Sequence, residues 1–275
     1  MIFSGNSFSF ELGKKTYVMG ILNVTADSFF DGGKYNSPRR AVEHTKRMLS
    51  EGADIIDIGA HSTRPNHKNL TPDEELEIIK NYLPLIYDET NAVISVDTFY
   101  PSVAQYALRN GASIINDVSG VFNTEMAQLV KMYNCGWVIT HTGGADSSTI
   151  PEYKNDIITE VNDFFVDTLK KCEEIGINKN QLCFDVGIGF GKSYEHNLDL
   201  IKNVDKVKID SVAMLMALSS KRVVKLSTDA ENDDLAYGTI AGNVLAISGG
   251  ADIIRVHNVK ENVLAVKMAD AVLRG

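Results

Sequence analysis

The chain has 275 residues, 44% of them hydrophobic and 23% charged, proportions ordinary for a globular protein with a buried core. Its net charge of −9 argues against nucleic acid or an acidic membrane as partner, yet leaves room for a small anion in a locally positive pocket. No apolar run reaches the roughly 18 residues of a membrane span, and the N-terminus MIFSGNSFSFELGKK lacks a basic-then-apolar secretion signal. Three cysteines without CxxC spacing, Cys135, Cys172 and Cys183, suit a reducing compartment, so a cytoplasmic protein is expected.

Short apolar, β-branched runs alternate with longer helical patterns along the whole sequence. Strands are predicted at 17–22, 54–58, 93–96, 113–116, 136–140, 181–185, 212–218 and 252–256. Helices are predicted near 38–51, 73–88, 101–110, 124–133, 155–175, 195–203, 232–248 and 259–273. Eight strand–helix units imply parallel pairing and a closed α/β barrel, the (β/α)8 or TIM barrel, as a single domain over 1–275. An open doubly wound sheet is the alternative. His44 and His196 fall on predicted helices and are expected to be exposed.

One short pattern recurs. Gly-Ala-x-Ile-Ile occurs at 52–56, 111–115 and 250–254, each time after a predicted helix, where glycine can adopt the left-handed conformation that ends it. The Ile-Ile pair enters a buried strand, and the next residue is polar every time: Asp57, Asn116 and Arg255.

Barrel enzymes build their sites where the strands end. In chain order the predicted strand ends deliver Asn23, Asp57, Asp97, Asn116, His141, Asp185, then Ser219 with Lys221, then Arg255 with His257. Any one of these is an ordinary cap or turn residue. The whole set on one rim reads as a ligand cavity, because buried charge must be paired or used.

The residue types narrow the ligand. Asp97, Asn116, Asp185 and Lys221 suit a flat heterocycle with adjacent N–H donors and a carbonyl, since a carboxylate accepts two parallel N–H bonds. Arg255, His257 and Arg64, the last in HSTRPN, form a cationic group suited to phosphate. GIGFGK at 187–192 lacks the spacing of the established phosphate loops. No H-x-H or H-E-x-x-H occurs, so a zinc site is not expected, whereas magnesium shared with substrate phosphates, held by Asn23 or the loop Asp that follows, is accommodated.

Seven segments together resemble the dihydropteroate synthases: GILNVTADSFFDGG (20–33), GADIIDIGAHSTRP (52–65), SVDT (95–98), GASIINDVSG (111–120), FDVGIGFGK (184–192), LSSK (218–221) and RVHNV (255–259). The resemblance implies a cytoplasmic, homodimeric (β/α)8 transferase of folate biosynthesis. Its reaction joins 6-hydroxymethyl-7,8-dihydropterin diphosphate to p-aminobenzoate and releases diphosphate. It implies a pterin pocket of Asp97, Asn116, Asp185 and Lys221, and a diphosphate site of Asn23, Arg64, Arg255 and His257 with Mg²⁺. It places p-aminobenzoate near Thr63, Pro65, Phe190 and Ser219, and a closing loop at Asp27 and Phe29. Asp97, Asp185, Lys221 and Arg255 would carry the catalysis. The family usually has Pro at Ala26, Glu at His61, Gly at Asn66, Pro at Val186, Arg at Ser220 and Asp at Asn258, and several of these departures fall in loops one and two and beside Ser219, where p-aminobenzoate and closure are handled. Two other readings stand beside this one, a methyltransferase using a methylated folate and a pterin-binding paralogue without turnover.

Overall fold

The computed structural model describes residues 1–24, 37–60, 70–143 and 149–275. It opens on an antiparallel hairpin, β1 (Ile2–Gly5) and β2 (Phe8–Glu11), absent from the predicted elements. Then follow β3 (Tyr17–Asn23), α1 (Pro38–Glu51), β4 (Ile55–Gly59), α2 (Pro72–Thr90), β5 (Ile94–Asp97) and α3 (Pro101–Arg109). Next come β6 (Ala112–Asp117), α4 (Thr124–Tyr133), β7 (Gly136–Thr140), α5 (Ile157–Ile175) and β8 (Leu182–Asp185). The chain ends with α6 (Tyr194–Lys202), α7 (Val204–Val207), β9 (Ala213–Met216), α8 (Arg222–Thr228), α9 (Leu235–Ser248), β10 (Ile253–Val256) and α10 (Val259–Leu273).

Strands β3 to β10 pair in parallel in sequence order, and β10 closes onto β3 through Ile253↔Tyr17 and Arg255↔Met19. The closed barrel decides against an open sheet. Every predicted strand lies on an observed one, because strands buried on both faces keep continuous apolar runs. The short α7 and α8 went unpredicted; neither has a side-chain cap to announce its start. Longer helices carry the usual start signals, such as Ser37 before Pro38 and the Thr71–Glu74 capping box.

Two periodicities sort the core. Alternate strand residues Val18, Ile56, Val96 and Ile254 face the helices on one side, and Trp137, Phe184 and Met214 do so on the other. The residues between them, including Met19, Ile55, Ile114, Val138, Cys183, Leu215 and Ile253, fill the barrel interior with the hairpin's Phe3 and Phe8. Phe3, Phe8, Phe10 and Tyr17 pack in sequence at centroid distances of 5.0, 5.1 and 4.4 Å and plug the end where the strands begin. Each fully buried Phe of this kind contributes about 1.5–3 kcal/mol.

The repeated motif works at both ends of its strand. Gly52, Gly111 and Gly250 take φ of 106, 104 and 104°, as expected of glycines that end helices. At the variable position, Asp54 Oδ2 accepts the Val18 N–H (2.9 Å) and Asp252 Oδ2 the Met214 N–H (3.0 Å). Each thereby pins its strand to the preceding one. The third copy has Ser113, whose hydroxyl meets that of Ser7 in the hairpin at 2.7 Å. His44 and His196 are half-buried rather than exposed: His44 Nδ1 meets Arg47, and His196 packs edge-on against Tyr153.

Candidate active site

Because side chains alternate along a strand, the inward positions run from apolar at the start to polar at the end: Ile55 to Asp57, Ile114 to Asn116, Cys183 to Asp185, Ile253 to Arg255. The polar residues that follow the three motif copies meet here. Asp57 is fully buried, and its Oδ2 accepts both Arg255 Nε (2.6 Å) and Asn116 Nδ2 (3.0 Å). Arg255 reaches past β3 and also donates through Nη2 to Asp97 Oδ2 at 3.0 Å. A guanidinium holding two carboxylates with separate donors is fixed in direction as well as charge.

Across the rim, Asp185 Oδ1 accepts the Gly187 N–H at 2.8 Å. Burial pushes the Asp185 carboxyl above its usual range, against Lys221, the Gly187 bond and Arg255. Lys221 Nζ donates to the Ile188 carbonyl at 2.6 Å and lies 4.7 Å from the Phe190 ring centroid. Burial lowers its ammonium to about 8, with Asp185 resisting the shift. For Arg255, the cost of burial is outweighed by Asp57 and Asp97, and its pKa rises. Three carboxylates, Asp57, Asp97 and Asp185, therefore face three cations, Arg255, Lys221 and Lys192.

Among the described residues, several acceptors and hydroxyls here are buried without a hydrogen-bond partner: Asp57 Oδ1, Asn116 Oδ1, Ser95 Oγ and Thr140 Oγ1. Buried polar atoms are normally satisfied, so a run of unsatisfied ones marks a place where a ligand supplies the partners. They suit the N–H edge of a flat heterocycle.

At the end of β10, Ser219 Oγ lies 3.1 Å from His257 Nδ1 and accepts the His257 backbone N–H at 3.2 Å. Ser219 thus engages the histidine expected at the diphosphate. The adjacent Ser220 holds φ 57°, and its N–H is donated to Thr239 Oγ1. Helix α10 starts after Asn258, whose side chain makes no cap bond.

One strand-end residue leaves the set. The ring of His141 turns outward against Phe164 (5.2 Å) and Tyr153 (6.2 Å). Burial and the nearby Lys192 lower it to about 3, so it stays neutral. Thr140 takes the inward position on β7. Two residues gained weight instead. Asp57 is the hub of the cluster, and Lys192 of GIGFGK is buried and donates to three carbonyls. Thr63, Arg64, Pro65, Asp27 and Phe29 lie outside the described residues, as do Ala26, His61 and Asn66.

Comparison with known proteins agrees with this geometry. Residues 19–257 match the family model described as pterin binding enzyme. The chain is 37% identical over 274 residues to a dihydropteroate synthase of Clostridium beijerinckii, covering 98% of each. A dihydropteroate synthase structure from Clostridium difficile, determined in the presence of pteroic acid, superposes with a TM-score of 0.89 at 38% identity, covering 97% of this chain and 100% of that one. One from Xanthomonas albilineans with 4-aminobenzoic acid does so with 0.89 at 34%, covering 99% and 98%. The chain belongs to the pterin-binding enzymes. Among them it falls with the dihydropteroate synthases, transferases of folate biosynthesis.

Proposed function

We propose that the rim cluster binds 6-hydroxymethyl-7,8-dihydropterin diphosphate and transfers its pterinylmethyl group to p-aminobenzoate. The observation that carries this is the joining of Asp57, Asn116, Arg255 and Asp97 into one network, with unsatisfied acceptors beside it. Asn116 and Asp185 accept N–H bonds from the pterin edge, and Lys221 donates to its carbonyl. The likeness to a structure determined in the presence of pteroic acid supports a pterin ligand.

In the reaction the methylene C–O bond breaks toward diphosphate, the amine nitrogen forms the new C–N bond, and a proton leaves that nitrogen. Positive charge grows on the methylene as diphosphate departs. The Asp97 and Asp185 carboxylates stabilise it, and Arg255 and His257 hold the leaving anion with the uncapped start of α10. Phe190 and Ser219 flank the second substrate, and the likeness to a structure holding 4-aminobenzoic acid supports a substrate of that kind.

For magnesium, the room left by Gly59 is informative. A Cβ there would stand 3.8 Å from Asn23 Oδ1 and 3.7 Å from Asp97 Oδ2, and since Asp97 Oδ2 already accepts from Arg255, Asn23 Oδ1 is the oxygen left for a cation. Among the described residues no group of three or more His, Cys, Asp or Glu could hold a metal alone. Magnesium bound through Asn23 with substrate oxygens fits that donor set, and would neutralise charge on the departing diphosphate.

Two properties complete the reading. Tyr237 and Leu245 on α9 and Leu264, Met268 and Val272 on α10 are 61–75% exposed on adjacent helices, which supports a homodimer through this face. The three cysteines are free and buried, and no described helix is long and apolar enough to cross a membrane, which fits the cytoplasm. The test is to mix purified protein, the pterin diphosphate and Mg²⁺ with and without p-aminobenzoate. Amine-dependent dihydropteroate is expected; pterin binding without product would contradict the assigned transfer.

A further inference from the structure

Lys192 is a buried cation at the rim that the reaction above does not use. Its side chain is 7% exposed, yet Nζ donates to the carbonyls of His141 (3.0 Å), Gly187 (3.0 Å) and Phe190 (3.1 Å). These carbonyls come from two strand ends that approach closely. Gly187 has φ 68°, and a Cβ on it would stand 1.9 Å from the His141 carbonyl oxygen. Three carbonyl dipoles converging in a buried space repel one another unless a cation sits between them.

The same turn carries the substrate groups. Gly187 gives its N–H to Asp185, Ile188 gives its carbonyl to Lys221, and Phe190 supplies the ring under Lys221. We infer that Lys192 is a positioning residue, whose ammonium gathers the His141, Gly187 and Phe190 carbonyls and so aims the 187–190 turn at Asp185 and Lys221. The inference rests on the reaction proposed above. Lys192 is also a positive neighbour of Asp185, since each favours the charged form of the other, although burial brings Lys192 down to about 7.

A separate anchor supplies the control. Asn197 Oδ1 accepts the Gly189 N–H at 2.7 Å, and its amide donates to Ser193 O at 2.6 Å, so it holds the same turn without charge. The experiment compares wild type, Lys192→Met, Lys192→Gln and Asn197→Ala in the full chain, by circular dichroism, kcat/KM against pH, and calorimetric titration with the pterin diphosphate. Lys192→Met is expected to lose about 10²-fold in kcat/KM, the scale of a small misplacement of reacting groups. Its acid limb should also move to higher pH as Asp185 loses a positive neighbour. Lys192→Gln keeps donors but not charge and should show the same acid-limb movement. Asn197→Ala should raise the KM for p-aminobenzoate and leave the acid limb in place.

A folded Lys192→Met with wild-type kcat/KM and acid limb overturns the inference. So does loss of the fold in both Lys192 variants, which would make the residue purely structural. If wild type itself makes no dihydropteroate, the reaction reading fails separately. The pH dependence of pterin binding to wild type and Lys192→Met then decides the role of Lys192 in the same way.

Discussion

The two ends of the barrel treat buried polarity in opposite ways. Where the strands begin, two acidic side chains are fully answered by their neighbours. Asp252 takes the Lys208 ammonium and the Met214 N–H, and Asp270 takes the Thr16 N–H, the Thr16 hydroxyl and Arg274. The cleft of about 500 Å³ at that end is likewise self-contained: Ser7 meets Ser113, and Arg109 donates to Tyr133. Where the strands finish, Asp57, Asn116, Ser95 and Thr140 keep unsatisfied atoms. One end is built to be complete, the other to be completed by substrate. Stability and chemistry thus occupy different halves of the same strands.

The sharpest way to break this division is at the aromatic plug. Phe3→Ala should lower unfolding free energy by about 3–5 kcal/mol in denaturant titrations, with pterin affinity per folded molecule unchanged. At the rim, Arg255→Ala should cut dihydropteroate formation by about 10²- to 10³-fold, the scale for losing one preorganised electrostatic group. Arg255→Lys should fall between, because it keeps the charge but cannot hold Asp57 and Asp97 with separate donors.

Smaller effects sharpen the picture. Asp185→Asn should weaken pterin binding by about 10- to 10²-fold, since a charge-assisted hydrogen bond contributes about 1.5–3 kcal/mol and the amide presents a donor where an acceptor is needed. The pH profile should also report Lys221. Its ammonium is present below about pH 8 and lost above it, so kcat/KM, already lowered near pH 7 as the Lys192 ammonium is lost, should fall further near pH 8. Lys221→Arg, charged at all these pH values, should move that limb upward.

Much of this was legible in the sequence, for identifiable reasons. The eight strands showed because burial on both faces leaves unbroken apolar runs, and the repeated glycines had to turn a helix into a strand. The polar residue after each copy was conspicuous. That Asp57 touches the other two was not, since Arg255 and Asp57 stand 198 residues apart. His141 was misread because it follows a strand directly, whereas counting by two from Val138 reaches Thr140 and leaves His141 facing out. The hairpin escaped because β1 and β2 are only four residues each, and their alternating phenylalanines have meaning only once a barrel mouth stands above them. Lys192 looked like the end of a weak phosphate loop, and only the folded turn shows its three carbonyls.

The most direct test of the division between the ends is calorimetric titration of the pterin diphosphate, with Mg²⁺, into wild type, Phe3→Ala and Asp185→Asn, at a temperature where all three are folded. The account predicts equal affinity for wild type and Phe3→Ala and weaker binding to Asp185→Asn. Wild-type affinity in Asp185→Asn, or an equal loss in Phe3→Ala, would contradict it.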